Sequence, residues 1–167
     1  MNKKPLNQKG LTLVELLIAM TVGAMIAGAV VASMFQLFTV SDRNSDWNAA
    51  FTQVQNAGYW VSHDAVQAQE VDDTSGLVTL DWVDWENDAH HVVYTLEGTG
   101  ELRELKRAYS LNGSPQETMV VAQYIVPGQA NTDCSWDENV LTLVITAQVG
   151  DQTVSRTYKV EPRPSSY

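Results

Sequence analysis

Hydrolysis or metal binding would draw on histidines beside acids, and the chain has two such places. One is His63-Asp64; the other is His90-His91, which follows Asp81, Asp84, Glu86 and Asp88. Neither comes with the surroundings that such chemistry requires. The sequence has no Gly-x-Ser-x-Gly nucleophile elbow, no phosphate-cradling glycine loop and no His-Glu-x-x-His helix. His90 and His91 fall in a strand-like run, where adjacent side chains point to opposite faces, so the two cannot share one metal ion. One is expected half-buried and the other solvated. Asp81, Asp84, Glu86, Asn87 and Asp88 offer the oxygen ligands that Ca²⁺ takes, but not at the spacing of an EF-hand loop. They read as a solvated acidic turn. No catalytic residue, metal or cofactor is expected.

Arg103, Lys106 and Arg107 form a basic cluster in a chain of formal net charge -10. Phosphate binding depends on positive charge displacing counterions, and so acidic a surface repels it. The three are expected to pair with Glu101, Glu104 or sheet neighbours, and nucleic acid is not an expected partner.

A sharper signal lies at the N-terminus, in Lys9-Gly10-Leu11-Thr12-Leu13-Val14-Glu15-Leu16-Leu17. From residue 16 to residue 41 nothing is charged, and as a helix that run is long enough to cross a hydrocarbon core of ~30 Å. Lys3, Lys4 and Lys9 precede it, with no acid before Leu11, and Asp42 and Asp46 follow. By the positive-inside rule the N-terminus faces the cytoplasm and the remainder lies outside. A secretory signal peptide has an apolar core of only ~7–15 residues, with its cleavage site after that core. A plain signal anchor accounts for length and orientation but leaves Glu15 unexplained. A carboxylate just inside an apolar span costs on the order of 1–3 kcal/mol unless it finds a partner.

The same string resembles the prepilin processing motif of type IV pilins and pseudopilins. The resemblance implies that a short basic leader is cut between Gly10 and Leu11 on the cytoplasmic side, before the apolar helix rather than after it. It also implies N-methylation of the new terminal amine at Leu11, and makes Glu15 the family's glutamate at the fifth mature position. Leu11 departs from the phenylalanine that is commonest at the first. Such a cut creates a cation at Leu11 one helical turn before the anion of Glu15. In a filament the two would pair between neighbouring subunits, far more strongly in low-dielectric surroundings than in water. A lone buried charge is costly, so subunits in register are favoured. The implied partners are other pilin-like subunits, a prepilin peptidase and an inner-membrane assembly platform. The implied location is a single pass of the inner membrane with the C-terminal domain extracytoplasmic, and then a surface or periplasmic filament.

A long helix must carry this string. After Asp42, residues Trp47, Phe51, Val54, Gly58, Val61, Ala65 and Ala68 recur at alternating four- and three-residue intervals, which predicts an amphipathic continuation to about Val71. The small residues of that stripe suit close approach to a sheet better than a coiled-coil partner. Residues 72–76 are a turn-rich break. Strand-like runs follow at 77–85, 91–97, 101–109, 118–126, 140–149 and 152–160. Hairpin turns at 97–100 and at Gly150-Asp151 pair the second run with the third and the last two with each other. Residues 127–139, with Cys134 and Trp136, read as a loop, and alternation turns Trp82 inward with Val78 and Leu80.

One helix followed by an antiparallel sheet is an α+β arrangement and the order of the pilin-like fold. The expected divisions are a leader over 1–10, a transmembrane or filament-core helix over 11–40, its amphipathic continuation over 41–71 and a sheet domain over 72–167. Cys134 is the only cysteine, so no intramolecular disulfide is available, and the disulfide-bounded loop of many major pilins is missing. Several segments resemble PilW-type minor pilins and the larger minor pseudopilin of type II secretion. They are residues 60–69 around Asp64, Val93-Tyr94-Thr95-Leu96 with Gly100-Glu101-Leu102 and Lys106-Arg107, and the final strand towards Arg163. The resemblance implies a structural minor subunit. The alternative on the same scaffold is a tip adhesin or substrate-binding module using Trp82, Trp85 and Trp136. An extracytoplasmic hydrolase would leave the leader motif without a purpose.

Replacing the small residue at the cut should block processing. Gly10→Val is expected to leave residues 1–10 attached, as read by intact-mass spectrometry of the purified chain. Recovery of Leu11 as the terminus of that variant would contradict the assignment.

Overall fold

The computed structural model describes residues 12–162: one long helix, then eight strands. Helix α1 spans Leu13–Gln67. The strands are β1 (Glu70–Asp72), β2 (Val78–Val83), β3 (Ala89–Glu97), β4 (Arg103–Leu111), β5 (Ser114–Ile125), β6 (Asp133–Asp137), β7 (Val140–Val149) and β8 (Gln152–Val160). The class is α+β, as expected. The chain divides into two units, the first ending at Asp42 and the second beginning at Arg43.

In the first unit every described side chain is exposed, and the helix is long and apolar enough to cross a membrane. Three of its hydroxyls bond back to the helix's own carbonyls. Thr21 donates to the Ile18 carbonyl at 2.8 Å, Ser33 to that of Ala29 at 2.9 Å and Thr39 to that of Phe35 at 3.0 Å. Hydrocarbon offers no partner for a hydroxyl, so this back-bonding is what lets Thr and Ser sit in an apolar segment.

In the second unit, Ala50, Val54, Ala57, Gly58, Val61, Asp64 and Ala65 of α1 are buried. The expected stripe is present from Val54 onward, but its first member is not core. Trp47 is exposed and stacks on the partly buried Phe51 at 5.0 Å, with the Arg156 guanidinium 4.7 Å from the Phe51 ring. Against this face lie Leu80, Val92, Tyr94, Leu105, Ile125, Leu141, Leu143 and Ile145 from the sheet. Trp82 points inward as alternation required.

All strand pairings are antiparallel. β1 to β5 run in chain order, and Ile125 of β5 then meets Ala147 of β7. β8 takes up one edge of β7, so β6 and the end of β5 share the other. Both expected hairpins are present, and Gly150 supplies the positive φ (+53°) that the two-residue turn between β7 and β8 requires. Two differences matter. The stretch expected to be a loop contains strand β6, and α1 ends at Gln67, short of the expected Val71, with the short β1 over residues 70–72 expected to be helix end and turn. β6 forms because Cys134 and Trp136 alternate inward while their backbone pairs with residues 141 and 143 of β7; Trp136 N–H also donates to Asp73 at 2.9 Å.

Close approach of helix and sheet is enforced at Gly58. The Tyr158 ring lies where a Cβ of residue 58 would stand, and its hydroxyl donates to the Val54 carbonyl at 3.2 Å. On an open helix surface Gly→Ala stabilises by about 1 kcal/mol. Here Gly58→Ala should reverse that sign and destabilise by about 1–3 kcal/mol, the usual cost of overpacking. Urea denaturation of the detergent-solubilised chain would show it, and the loss should shrink in a Tyr158→Leu background.

Candidate functional site

Gly10 and Leu11, the expected cleavage and methylation positions, lie outside the described residues, and so does the Leu11 half of the expected charge pair. Glu15 is described, and its carboxylate is held. Thr12 N–H and Thr12 Oγ1 each donate to Glu15 Oε2 at 2.9 Å, and Glu15 N–H donates to Thr12 Oγ1 at 3.2 Å. This is a reciprocal capping box at the start of α1: Thr12 caps, and Glu15 reaches back from the third helical position. The negative charge sits where the helix dipole is positive. Reading Glu15 for its charge alone passes over Thr12, although the T-x-x-E spacing was the available signal.

The histidines do not converge. His90 is packed between Trp82, ring to ring at 4.9 Å and 7°, and Tyr109 at 5.9 Å. Its Nε2 lies 3.3 Å from Asp84 Oδ2, and the Tyr109 hydroxyl lies 3.0 Å from its Nδ1. His91 faces the other way, half-exposed, with Nδ1 at 2.6 Å from Asp81 Oδ1. His63 is half-exposed on α1. One histidine half-buried and one solvated is the expected arrangement of the 90–91 pair.

Asp84, Glu86 and Asp88 bring a carboxylate oxygen each to within 4.8 Å of one another. Ca²⁺ takes 6–8 oxygens, and one oxygen of Asp84 is already occupied. Asp84 Oδ1 accepts the N–H groups of Glu86 and Asp88, both at 2.9 Å. The Asp88 backbone bond is the largest influence holding the Asp84 carboxyl below its ordinary range. The grouping is therefore built as a turn, with Asn87 at a φ of +68°.

The basic cluster does not form one face. Lys106 pairs with its sheet neighbour Glu97 at 2.8 Å on the surface, as expected. Arg107 does not pair with Glu101 or Glu104. Strand alternation turns it inward to Asp64 of α1, with Nε at 2.7 Å from Oδ2 and Nη2 at 3.2 Å from Oδ1. The Tyr94 hydroxyl donates to the same Oδ2 at 2.6 Å. The Arg107 guanidinium also sits 5.3 Å from each of the Trp60 and Tyr109 rings, within cation–π reach. Burial opposes the Arg107 charge, yet the hydrogen bonds and charge of Asp64 more than offset it and hold its pKa above the ordinary value. Burial, then the Asp64 charge, raise the Tyr94 hydroxyl, so it stays a donor. Sequence reading had no means of joining Asp64 to Arg107, because the pair is 43 residues apart and carries no local pattern.

Of the tryptophans weighed for surface recognition, Trp82 is buried, Trp136 is partly buried and Trp85 is 90% exposed. Cys134 is buried, and burial followed by the charges of Asp133 and Asp73 pushes its thiol up to about 12, away from reactivity.

Residues 5–31 match the family described as the prokaryotic N-terminal methylation motif. No curated protein and no solved structure matches the chain.

Breaking the buried pair from one side should be far worse than removing it whole. Asp64→Ala leaves the Arg107 charge stranded and should cost about 3–5 kcal/mol, whereas the Asp64→Leu/Arg107→Met double variant should lose much less. Chemical denaturation of the four members of that cycle measures the coupling.

Proposed function

We propose that the chain is a structural minor subunit of a type IV pilus or type II secretion-like filament, cut between Gly10 and Leu11 and assembled through its N-terminal helix. The methylation-motif match over residues 5–31 carries this reading and supports a type IV pilin-like subunit. The apolar helix that follows the motif fits a membrane-anchored precursor. Removing the leader takes away three lysines and leaves 7 basic against 20 acidic side chains, a net of -13. The new terminal amine at Leu11 then becomes the cation nearest to Glu15 in sequence. A type IV pilin-like role is structural rather than enzymatic. Its partners are other pilin-like subunits, the peptidase that cuts the leader and the platform that extracts the subunit from the membrane.

The capping box sharpens how Glu15 would act. Before assembly the carboxylate is satisfied by Thr12, which lowers the cost of holding an anion at the edge of hydrocarbon. On assembly, the amine of a neighbouring subunit offers a full opposite charge in place of a hydroxyl, and charge-assisted bonds are about twice as strong as neutral ones. The exchange therefore favours the filament without requiring a free carboxylate in the bilayer at any stage.

Glu15→Leu should insert and be cut normally, because neither step uses the carboxylate, but its recovery in sheared filaments should fall by about tenfold, equivalent to 1.4 kcal/mol. Immunoblotting of membrane and filament fractions reads both. Normal incorporation of Glu15→Leu would count against the charge-pair mechanism, and an uncut wild-type chain would count against the function itself.

A further inference from the structure

We infer that the turn between β2 and β3 is a docking surface for a different, basic-faced subunit of the same filament, with Trp85 as its anchor; this rests on the filament reading above. Trp85 is 90% exposed, the highest value among the exposed large hydrophobic residues of the described chain. It stands on a turn that is locked rather than loose. Asp84 N–H donates to the Asp88 carbonyl and Asn87 N–H to the Asp84 carbonyl, while Asp84 Oδ1 takes two further backbone N–H groups. From the adjoining β4–β5 connection, Asn112 clamps the far side. Its Nδ2 donates to Asp88 at 2.9 Å and its Oδ1 accepts Ala89 N–H at 2.8 Å. An indole held in water on a rigid frame loses little conformational freedom on binding, and such aromatic anchors dominate interface energetics.

The anchor borders a groove of mixed lining. Val83 (43% exposed) and Val66 of α1 (55% exposed) line it with Trp82 and Trp85, and Gln67, Gln69 and Asp84 supply its polar side. Charge selects the occupant. Asp84, Glu86 and Asp88 share the turn with Trp85 and bring their carboxylates within 4.8 Å of one another, and residues 43–162 carry 18 acids against 6 bases, a net of -12. A second copy would bring acid to acid, and an anionic membrane surface would be repelled for the same reason. An apolar pocket flanked by Lys or Arg on another subunit meets both features at once.

The test places the photo-crosslinker p-benzoylphenylalanine at position 85 of the full-length chain in cells that make the filament. Irradiation should join it to one other protein carrying its own leader and methylation motif, at a peptide rich in Lys or Arg. Glu86→Lys, an exposed change that leaves the turn's hydrogen bonds intact, should lower that yield about fivefold or more. Several results would overturn the inference: a crosslink to a second copy, to polysaccharide or lipid, or to a protein without such a leader, or a yield that Glu86→Lys leaves unchanged. Absence of any adduct in a chain that is cut and incorporated would overturn it alone, with the filament reading intact. A chain never cut or incorporated would overturn both.

Discussion

The Asp64 carboxylate sets the geometry of the sheet-bearing unit. At 1% exposure it has lost its water, and an unpaired ion in that place is untenable. Its oxygens are taken instead by Tyr94 and Arg107, 30 and 43 residues further along the chain, which belong to adjacent strands. The apolar stripe could not do this work alone. Ala50, Ala57 and Ala65 are nearly interchangeable and burial is non-directional, so within the stripe it is chiefly the Gly58–Tyr158 contact that resists a small slide of α1. A one-residue step would swing Asp64 by about 100° and strand three polar groups. Adhesion of helix to sheet comes from the apolar contacts, and the choice of register from the polar hub together with the fit of Tyr158 over Gly58.

The two carboxylates of α1 with structural roles meet the same penalty with different solutions. Glu15 is satisfied within its own first turn, by a residue three positions away, so its unit needs nothing from elsewhere in the chain. Asp64 has His63 beside it at 3.3 Å, but its shorter bonds, to Tyr94 and Arg107, form only when β3 and β4 are in place. The local solution can be exchanged for a better partner at little cost. The nonlocal one cannot, because Arg107 is itself wedged between Trp60 and Tyr109. An exposed local bond and a buried nonlocal one are thus distinguished by sequence separation and burial, not by chemistry.

The same distinction governs what could be read from the sequence. The apolar run, the 4-3-4-3 stripe and the period-two strands are local patterns, and they located α1 and six of the eight strands. β1 and β6 escaped because each has five residues or fewer and takes its identity from its partner. In β6 the sequence Asp-Cys-Ser-Trp-Asp offers only two inward side chains, and Pro127 and Gly128 upstream weigh towards a loop. β5 begins earlier than its apolar residues suggest, since its polar first half is exposed and pairs with β4 by backbone alone. The basic cluster is legible in part for a related reason: Lys106 pairs with a sheet neighbour as expected, while alternation sends Arg107 inward to a partner on the helix. The Glu15 motif was fully legible, being nine contiguous residues, while its Thr12 partner was overlooked beside the more conspicuous charge.

The acidic turn shows how one set of side chains can serve frame and field together. A hydrogen bond to a carboxylate uses a lone pair but does not remove the charge. Asp84 therefore fastens the turn through Oδ1 and still contributes a negative potential beside Trp85. A metal would need those lone pairs free, whereas a cationic protein surface needs only the potential and a fixed indole to close upon. Rigidity bought by internal hydrogen bonds thus weakens the case for an ion at this turn and strengthens the case for a macromolecular contact. The alternating architecture of β2 completes the arrangement: it buries Trp82 as an anchor within the fold and leaves Trp85, three residues on and past the strand's end, facing outward.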